Sequence, residues 1–348
     1  MSKLNVLVTG GSGFLGSAIV RELLDKNPVL ETSSITLFDL REPDGIVDPK
    51  VNFVKGDVCD PRALSDACKG IDLVIHSAAI VDWGTHPESE VYAVNVTGTE
   101  NVIRACREQG VRFLVFTSSL DAIYTGRPMV NIDETVPFPT VHPNMYCRSK
   151  ELAERAVAGA NSGSLKTVII RPSDIYGEGD PYHIGSLVGM ARGGFYVRLG
   201  DGKTKSQHTY VGNVSHAHLL AAKALMNDRG EVAGNAYFIT DGPGSNFFRF
   251  FDRIVEGIGY RIWPKNFWIP RKIAYAMGAF SECVALLVRP VKKVNPKFSR
   301  FAVTYTCTDF TFSSDRALRD FGFTVKYSET EALERTVSHF RKEFQDIH

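Results

Sequence analysis

The chain has 348 residues, of which 44% are hydrophobic and 23% are charged, so it can form a sizeable buried core. This composition excludes a disordered, collagen-like or coiled-coil protein, and the length corresponds to about two domains or one large α/β unit. Forty basic and thirty-nine acidic residues leave a net charge of +1, which argues against nucleic acid as a partner.

Short apolar runs alternate with helical periodicity through the first half of the chain. Strands are predicted at residues 4–8, 34–39, 51–54, 73–76, 113–117 and 167–171. Helices are predicted at residues 15–23, 94–107 and 144–160. Strands that alternate with helices predict the α/β class, with a doubly wound parallel sheet of the NAD(P)-binding Rossmann type and ligands at the carboxyl ends of its strands.

A glycine-rich run, TGGSGFLG at residues 9–16, lies between the first predicted strand and the first predicted helix. Its glycines three residues apart allow a tight turn, close approach of the backbone to a pyrophosphate, and close packing of helix on strand. The helix N-terminus offers unpaired N–H groups to the phosphates. The run supplies five predicted cofactor-binding residues: Gly10, Gly13, Phe14, Leu15 and Gly16.

An acid at the end of the second predicted strand indicates which dinucleotide binds. Asp39 lies twenty-three residues beyond Gly16, where its carboxylate would accept hydrogen bonds from a ribose hydroxyl and repel a 2′-phosphate. The predicted cofactor is therefore NAD, and NADP is disfavoured. Arg41 lies close enough to weaken this preference.

Residues that follow the third and fourth predicted strands complete the expected cofactor site. Asp57 and Val58 follow the third strand, where Asp57 either caps the next helix or binds adenine. Ala78 and Ala79 follow the fourth strand, where small side chains either leave room for the cofactor or only allow tight packing.

A tyrosine and a lysine four residues apart form the candidate proton-transfer group. Tyr146 and Lys150 share one face of a predicted helix, so the ammonium is expected to favour the phenolate and lower the tyrosine pKa. Ser118 and Ser119 follow the predicted strand 113–117, at the edge where a nicotinamide is expected. A serine hydroxyl there can hold a substrate oxygen while the tyrosine moves the proton.

The strand–helix alternation weakens after residue 171, although residues 236–240 still resemble a sheet strand. We therefore expect a nucleotide-binding core at 1–171 with 208–240 interleaved, and a smaller substrate-binding lobe at 172–207 and 241–348.

His208 and Tyr210 either line the site or are structural. Seven aromatic residues crowd the C-terminal lobe and form either core or a substrate box: Phe247, Phe248, Phe250, Phe251, Trp263, Phe267 and Trp268.

The segment 273–288 is apolar apart from Ser281 and Glu282, and basic residues flank it on both sides. Sixteen helical residues span about 24 Å, short of the roughly 30 Å hydrocarbon core of a bilayer. The segment is interpreted as a buried or substrate-lining helix, or as a helix that lies on a membrane surface; a membrane span fits less well.

Together these features resemble the extended branch of the short-chain dehydrogenase/reductase family, through the TGxxGxxG loop and Tyr146-x-x-x-Lys150. The resemblance extends to the 3β-hydroxysteroid dehydrogenase group. The features that carry it are NVTGT at 95–99, FTSS at 116–119, RP at 171–172 with IYG at 175–177, YVGNV at 210–214, FITD at 238–241, and the segment 273–288 followed by RP at 289–290.

The resemblance implies a role for each motif residue. Ser119 would position the substrate oxygen, Tyr146 would act as the acid/base, and Lys150 would tune Tyr146 and bind the ribose. Asn95 would support the active site, and Pro172 would join the residues that bind NAD. The implied reaction is oxidation of a secondary alcohol, with the proton taken by Tyr146 and the hydride by NAD.

The resemblance also implies a lipophilic substrate, in which the 3β-hydroxyl of a steroid or sterol becomes a 3-ketone. One branch of the group acts on sterol 4α-carboxylates and releases CO₂, and the C-terminal residues 334–341 resemble that branch. Isomerisation is not expected, because Asn246, Phe247 and Phe248 stand where isomerising members have polar Tyr or Asp residues.

Three alternatives share the same core. Nucleotide-sugar epimerases and dehydratases use a similar Ser/Tyr/Lys set and retain NAD. An NADPH-dependent reductase of a β-keto acid or flavonoid-like ketone is disfavoured by Asp39. A non-enzymatic cofactor-sensing scaffold would not need the full catalytic set.

Targeting signals and cysteine spacing bear on the compartment. The N-terminus enters a strand pattern directly, without the pattern of a signal peptide, and the six cysteines show neither C-x-x-C nor metal-ligand spacing. We therefore expect no metal and a cytoplasmic protein, with membrane contact through 273–288 (at the endoplasmic reticulum in a eukaryote) as one interpretation. Relatives that form homodimers suggest the same oligomer here.

Overall fold

The computed structural model describes residues 3–83, 86–228, 231–288 and 298–345. Arg289 and Pro290 of the resemblance, and the flanking Lys292 and Lys293, lie outside the described residues.

Seven parallel strands form a central sheet. Their bounds are Leu4–Thr9 (β1), Thr32–Asp39 (β2), Val51–Lys55 (β3), Leu73–His76 (β4), Phe113–Thr117 (β5), Lys166–Pro172 (β7) and Ala236–Ile239 (β11). They lie in the order β3-β2-β1-β4-β5-β7-β11, so the order reverses between β1 and β4 and opens a crevice at their carboxyl ends. The predicted doubly wound Rossmann sheet is confirmed.

Shorter strands build the periphery as three two-stranded parallel sheets. Their bounds are Met129–Ile132 (β6), Asp174–Tyr176 (β8), Arg198–Leu199 (β9), His208–Tyr210 (β10), Trp268–Ile269 (β12) and Phe310–Phe312 (β13). The pairs are β10 with β8, β12 with β9, and β13 with β6. The chain thus leaves the central sheet directly after β7, at residues 174–176.

Helices cover both faces of the central sheet and form much of the described chain beyond it. Their bounds are Phe14–Leu23 (α1), Pro61–Ala67 (α2), Glu88–Tyr92 (α3), Gly98–Gln109 (α4), Met145–Ala160 (α5), Ile184–Arg192 (α6), Val211–Met226 (α7), Phe247–Ile258 (α8), Arg271–Val288 (α9), Arg300–Thr306 (α10), Asp315–Phe321 (α11) and Glu329–Gln345 (α12). The strands β4 and β5 are buried at every position, as expected for parallel strands covered on both faces.

The helix predicted at residues 94–107 is divided into two parts and is preceded by a further short helix. The helix α3 is followed by a wide π-helical turn at Ala93–Thr97, and α4 begins at Gly98. Within that turn, the Asn95 side chain accepts the N–H of Ile80 at 2.8 Å and donates to the Ser149 hydroxyl at 3.0 Å. The periodicity of apolar residues does not predict polar contacts of this kind.

The segment 273–288 is mostly exposed, so the interpretation of it as a buried helix was wrong, and a substrate-lining role stays a prediction. It lies within α9, of which only Ala274, Gly278 and Ala285 are buried. Gly278 packs closely on the chain at Ser299 and Arg300, while the large apolar side chains of α9 face outward. Within the described residues, no helix is both long and apolar enough to cross a membrane.

Candidate active site

A cleft of about 670 Å³ lies at the carboxyl ends of the central strands. It contains every predicted site residue except Asn95. Those residues are Gly10, Gly13, Phe14, Leu15, Gly16, Asp39, Asp57, Val58, Ala78, Ala79, Ser119, Tyr146, Lys150 and Pro172. The fold therefore brings together residues from the carboxyl ends of six strands, β1 to β5 and β7, and from the helix α5.

The glycine run forms a turn that has no room for side chains. Gly10 has φ +69°, and a Cβ there would lie 2.8 Å from the Ala78 backbone. A Cβ at Gly16 would lie 2.0 Å from the Gly10 carbonyl oxygen. The chain thus keeps backbone N–H groups uncovered at the start of α1, a geometry that fits the pyrophosphate of a dinucleotide. The small Ala78 packs on the Gly10 backbone and lines the cleft, and its role in leaving room for the cofactor stays a prediction.

Asp39 lies at the end of β2 with its carboxylate held by the backbone. One oxygen accepts the N–H of Ser12 at 3.1 Å and the other accepts the N–H of Arg41 at 3.2 Å. A carboxylate has about four lone-pair sites, so both oxygens can still accept a further donor. The arrangement fits a diol such as a ribose, and it places a negative charge where a 2′-phosphate would lie.

Asp57 does not cap the next helix. The cap of α2 is Asp60, whose carboxylate accepts the N–H groups of Arg62 at 2.9 Å and Ala63 at 3.2 Å. The Asp57 side chain instead accepts the N–H of Cys59 at 2.8 Å and lines the cleft. A contact with adenine stays a prediction.

Tyr146 and Lys150 lie on α5, which begins where Asn144 accepts the N–H of Cys147 at 2.9 Å. The Lys150 ammonium donates to the Thr117 carbonyl oxygen at the end of β5, at 3.1 Å, and lies 5.9 Å from the Tyr146 ring centre. Ser119 follows the same strand. All three groups therefore face one end of the cleft, held by the junction of α5 with β5.

Electrostatics at this junction differ from the sequence-based expectation. Burial raises the pKa of Tyr146 well above its ordinary value, and the negative charge of Asp121 adds to this effect. A hydrogen bond with Ser119 acts in the opposite direction. Burial also lowers the pKa of Lys150 to about 8. The predicted lowering of the tyrosine pKa was wrong for the protein alone, because burial outweighs the neighbouring ammonium.

Asn95 is buried behind the cleft. It bonds the Ile80 backbone, which belongs to the cleft wall, and the Ser149 hydroxyl on α5. Its amide therefore joins the loop after β4 to the helix that carries Tyr146. This geometry suits a positioning residue better than one that touches a substrate.

The residues of the cleft wall that the sequence analysis missed include the polar groups Asp121, Asp174, His183 and Tyr305. Ser119 donates to the Asp121 carboxylate at 2.6 Å, and Tyr305 donates to the Asp174 carboxylate at 2.6 Å. Asp121 lies two positions after Ser119, and Asp174 lies two positions after Pro172. This closeness to predicted site residues could have identified both carboxylates. Tyr305 comes from α10, and no local pattern pointed to it.

Four phenylalanines of the C-terminal aromatic cluster are core: Phe247, Phe248, Phe250 and Phe251. Trp268 packs against them, whereas Trp263 and Phe267 are exposed and do not line the cleft. His208 stacks on Phe250 with ring centres 4.4 Å apart, so it is structural too. Tyr210 donates to the Glu178 carboxylate outside the cleft.

The chain is similar along most of its length to curated proteins with stated activities. The profile of the 3-beta hydroxysteroid dehydrogenase/isomerase family matches residues 7–268. The sterol-4-alpha-carboxylate 3-dehydrogenase, decarboxylating, of Mus musculus is 34% identical over 336 residues, with 96% of this chain and 90% of that protein covered. The 3 beta-hydroxysteroid dehydrogenase type 7 of Homo sapiens is 33% identical over 356 residues, with 96% and 95% covered.

Solved structures agree on the fold. The dTDP-glucose 4,6-dehydratase of Streptomyces venezuelae, solved with NAD bound, superposes with a TM-score of 0.73 over 98% of both chains at 21% identity. At this identity the likeness extends to the fold alone.

Proposed function

Because the chain belongs to the 3-beta hydroxysteroid dehydrogenase/isomerase family, we propose that it oxidises the 3β-hydroxyl of a steroid or sterol to a 3-ketone with NAD. The observation that carries the proposal is the convergence of Ser119, Tyr146 and Lys150 on one end of the cleft. The opposite end holds the glycine turn and Asp39, which suit a dinucleotide.

Each of the three side chains has a distinct task. Tyr146 removes the hydroxyl proton of the alcohol, Ser119 holds the same oxygen, and Lys150 orients the ribose while its charge favours the phenolate. A bound nicotinamide supplies the hydride acceptor and a positive charge that opposes the effect of burial on the Tyr146 pKa. Burial of Tyr146, which is 6% exposed, keeps water away from the proton transfer.

Decarboxylation would need no further catalytic group. If the alcohol carries a 4α-carboxylate, its oxidation produces a β-keto acid, and the new carbonyl accepts the electron pair released as CO₂ leaves. The same Ser/Tyr/Lys set therefore serves both a simple 3β-hydroxysteroid and a 4α-carboxysterol.

The test is a matrix of cofactors and substrates with the purified protein. We expect NADH formation with a 3β-hydroxysteroid or a 4α-carboxysterol, and little activity with NADP. Absence of turnover with every steroid and sterol would overturn the substrate class. Binding of a UDP-sugar by protein that retains NAD through purification would favour an epimerase or dehydratase instead.

Asp39→Asn should weaken the preference for NAD. Removing the charge while keeping the side-chain size abolishes repulsion of a 2′-phosphate, and the exposed Arg41 nearby can then attract it. The ratio of kcat/KM for NADP to that for NAD should rise about tenfold or more. Asp66→Asn, which removes an exposed carboxylate on α2 away from the cleft, is the matched control. An unchanged ratio in Asp39→Asn would remove Asp39 from the cofactor site.

We also propose that α9 rests on an anionic membrane surface. Ile273, Met277, Phe280, Val284 and Leu287 follow helical spacing along one exposed face, and Phe280 and Leu287 are 71% and 78% exposed. Arg271 and Lys272 are exposed at the start of the helix, where they can meet lipid phosphates. A lipophilic substrate would reach the enzyme from such a surface.

Co-sedimentation with vesicles of phosphatidylcholine and phosphatidylserine tests this contact. The double variant Phe280→Ser, Leu287→Ser should bind vesicles at least about tenfold more weakly, because two large apolar side chains no longer enter the lipid. Val141→Ser removes a side chain that is 77% exposed outside α9 and should bind like the unaltered protein. Equal binding by all three proteins would contradict the proposal.

A further inference from the structure

Two buried carboxylates flank the end of the cleft where the alcohol is expected to react. Asp121 is 8% exposed, and its carboxylate accepts the Ser119 hydroxyl at 2.6 Å. Asp174 accepts the Tyr305 hydroxyl at 2.6 Å and belongs to the same wall.

The Cys147 thiol lies 4.0 Å from the Asp121 carboxylate. The His208 ring lies 3.8 Å from the Asp174 carboxylate, and burial lowers the pKa of His208 to about 3, so the ring is neutral near pH 7. Neither carboxylate has an arginine or lysine bonded to it among the described residues.

Few cations line the described part of the cleft wall. Arg41 lies beside Asp39 at the opposite end, and Lys150 donates to the Thr117 carbonyl oxygen. The His86 ring lies 3.2 Å from the Asp82 carboxylate, and the buried His183 ring lies 3.4 Å from that of Asp180. Burial acts to lower the pKa of His183, but the charges of Asp180 and Asp174 outweigh burial and raise it, so the positive charge of His183 is favoured beside Asp174. No such group is bonded to the Asp121 carboxylate among the described residues.

We propose that Asp121 and Asp174 make this enzyme prefer a 3β-hydroxysteroid with no charge beside the reacting carbon, and reject one that carries a 4α-carboxylate. The inference rests on the proposed function and narrows it to one of its two substrate types. A 4α-carboxylate is attached to the carbon next to the carbinol, so it lies close to the oxygen that Ser119 holds. Ser119 is bonded directly to Asp121, which brings two like charges together where water does not screen them.

The surroundings of Asp121 predict how this selectivity depends on pH. Burial raises the pKa of Asp121 to about 7, and the Asp174 charge adds to it, whereas Ser119 and Lys150 act in the opposite direction. The other groups that face it are Tyr124, Tyr146, Cys147 and Tyr305, whose pKa values are all raised, so in the protein without cofactor they are neutral near pH 7. Asp121 is charged above pH 7 and neutral below it, so rejection of a carboxylate should strengthen from pH 6 to pH 8.

The experiment compares one 3β-hydroxysterol with its 4α-carboxylated form, each assayed by NADH formation. At pH 8 we expect kcat/KM to favour the uncharged sterol by at least about tenfold, with a smaller ratio at pH 6. Asp121→Asn should move the ratio at pH 8 about tenfold towards the carboxylated sterol, and Asp174→Asn should move it in the same direction. If a variant displaces Ser119, kcat/KM falls alike for both sterols, and this general loss cancels in the ratio.

Asp133→Asn is the control, because it removes an exposed carboxylate outside the cleft and should leave the ratio unchanged. Equal use of the two sterols at pH 8, a preference for the carboxylated one, or ratios unmoved in both cleft variants would overturn the inference. The ratio and its pH dependence in the unaltered enzyme need no variant to fold. Absence of NADH formation from both sterols would instead overturn the proposed function itself.

Discussion

Replacing Tyr146 with phenylalanine is expected to lower kcat for NADH formation by about 10³-fold, because the phenol oxygen that takes the alcohol proton is then absent. The change removes one oxygen from a ring that is 6% exposed and lies 5.9 Å from the Lys150 ammonium, so packing should survive. The KM for the steroid and the affinity for NAD should change little, since the glycine turn and Asp39 are untouched. Steady-state kinetics and NAD titration by fluorescence measure the two effects separately.

Tyr92→Phe provides the matched control for Tyr146→Phe, because Tyr92 is 43% exposed on α3 and lies outside the cleft. It should keep full activity. If Tyr146→Phe retained more than about a tenth of the normal kcat, another group would have to take the proton. The buried Asp121, bonded to Ser119, would then be the first candidate.

Sequence analysis predicted the cofactor half of the cleft well because its determinants are local. Glycine spacing in residues 9–16 reports directly on backbone geometry, and an acid at a strand end reports on what lies at the sheet edge. Tyr146 and Lys150 share a helical face whatever packs around them. Such features can be recognised in the sequence without knowledge of tertiary contacts. For this reason every predicted site residue except Asn95 lines the cleft.

The substrate half was predicted poorly because its determinants are contacts between distant segments. Tyr305 donates to Asp174 although the two residues are 131 positions apart in the sequence, and no periodic pattern predicts such a contact. The direction of the Tyr146 pKa shift depends on burial and on Asp121. The four-residue spacing between Tyr146 and Lys150 predicts neither of these. The outward face of α9 was mistaken for a buried one because apolar composition alone does not distinguish core from lipid contact.

Glu154→Ala is expected to destabilise the protein by about 3–5 kcal/mol, because it leaves the buried Arg171 guanidinium without its partner. The two side chains are 2% and 4% exposed, and Arg171 donates to Glu154 at 3.0 Å and 2.7 Å. Ser118 also donates to Glu154. This pair ties α5 to the carboxyl ends of β5 and β7, next to Ser119 and Pro172. Urea unfolding followed by circular dichroism measures the loss.

The double variant Glu154→Leu, Arg171→Met distinguishes a missing partner from a missing interaction. Both charges are then absent, and apolar side chains of similar volume occupy the space beside Phe138 and Phe238, which the guanidinium faces at 5.4 Å and 5.3 Å. We expect this protein to regain most of the stability lost in Glu154→Ala, since a buried ion pair contributes little net free energy compared with good apolar packing. Equal destabilisation in both variants would mean that the ion pair itself, rather than the penalty for an unpaired charge, holds α5 against the sheet.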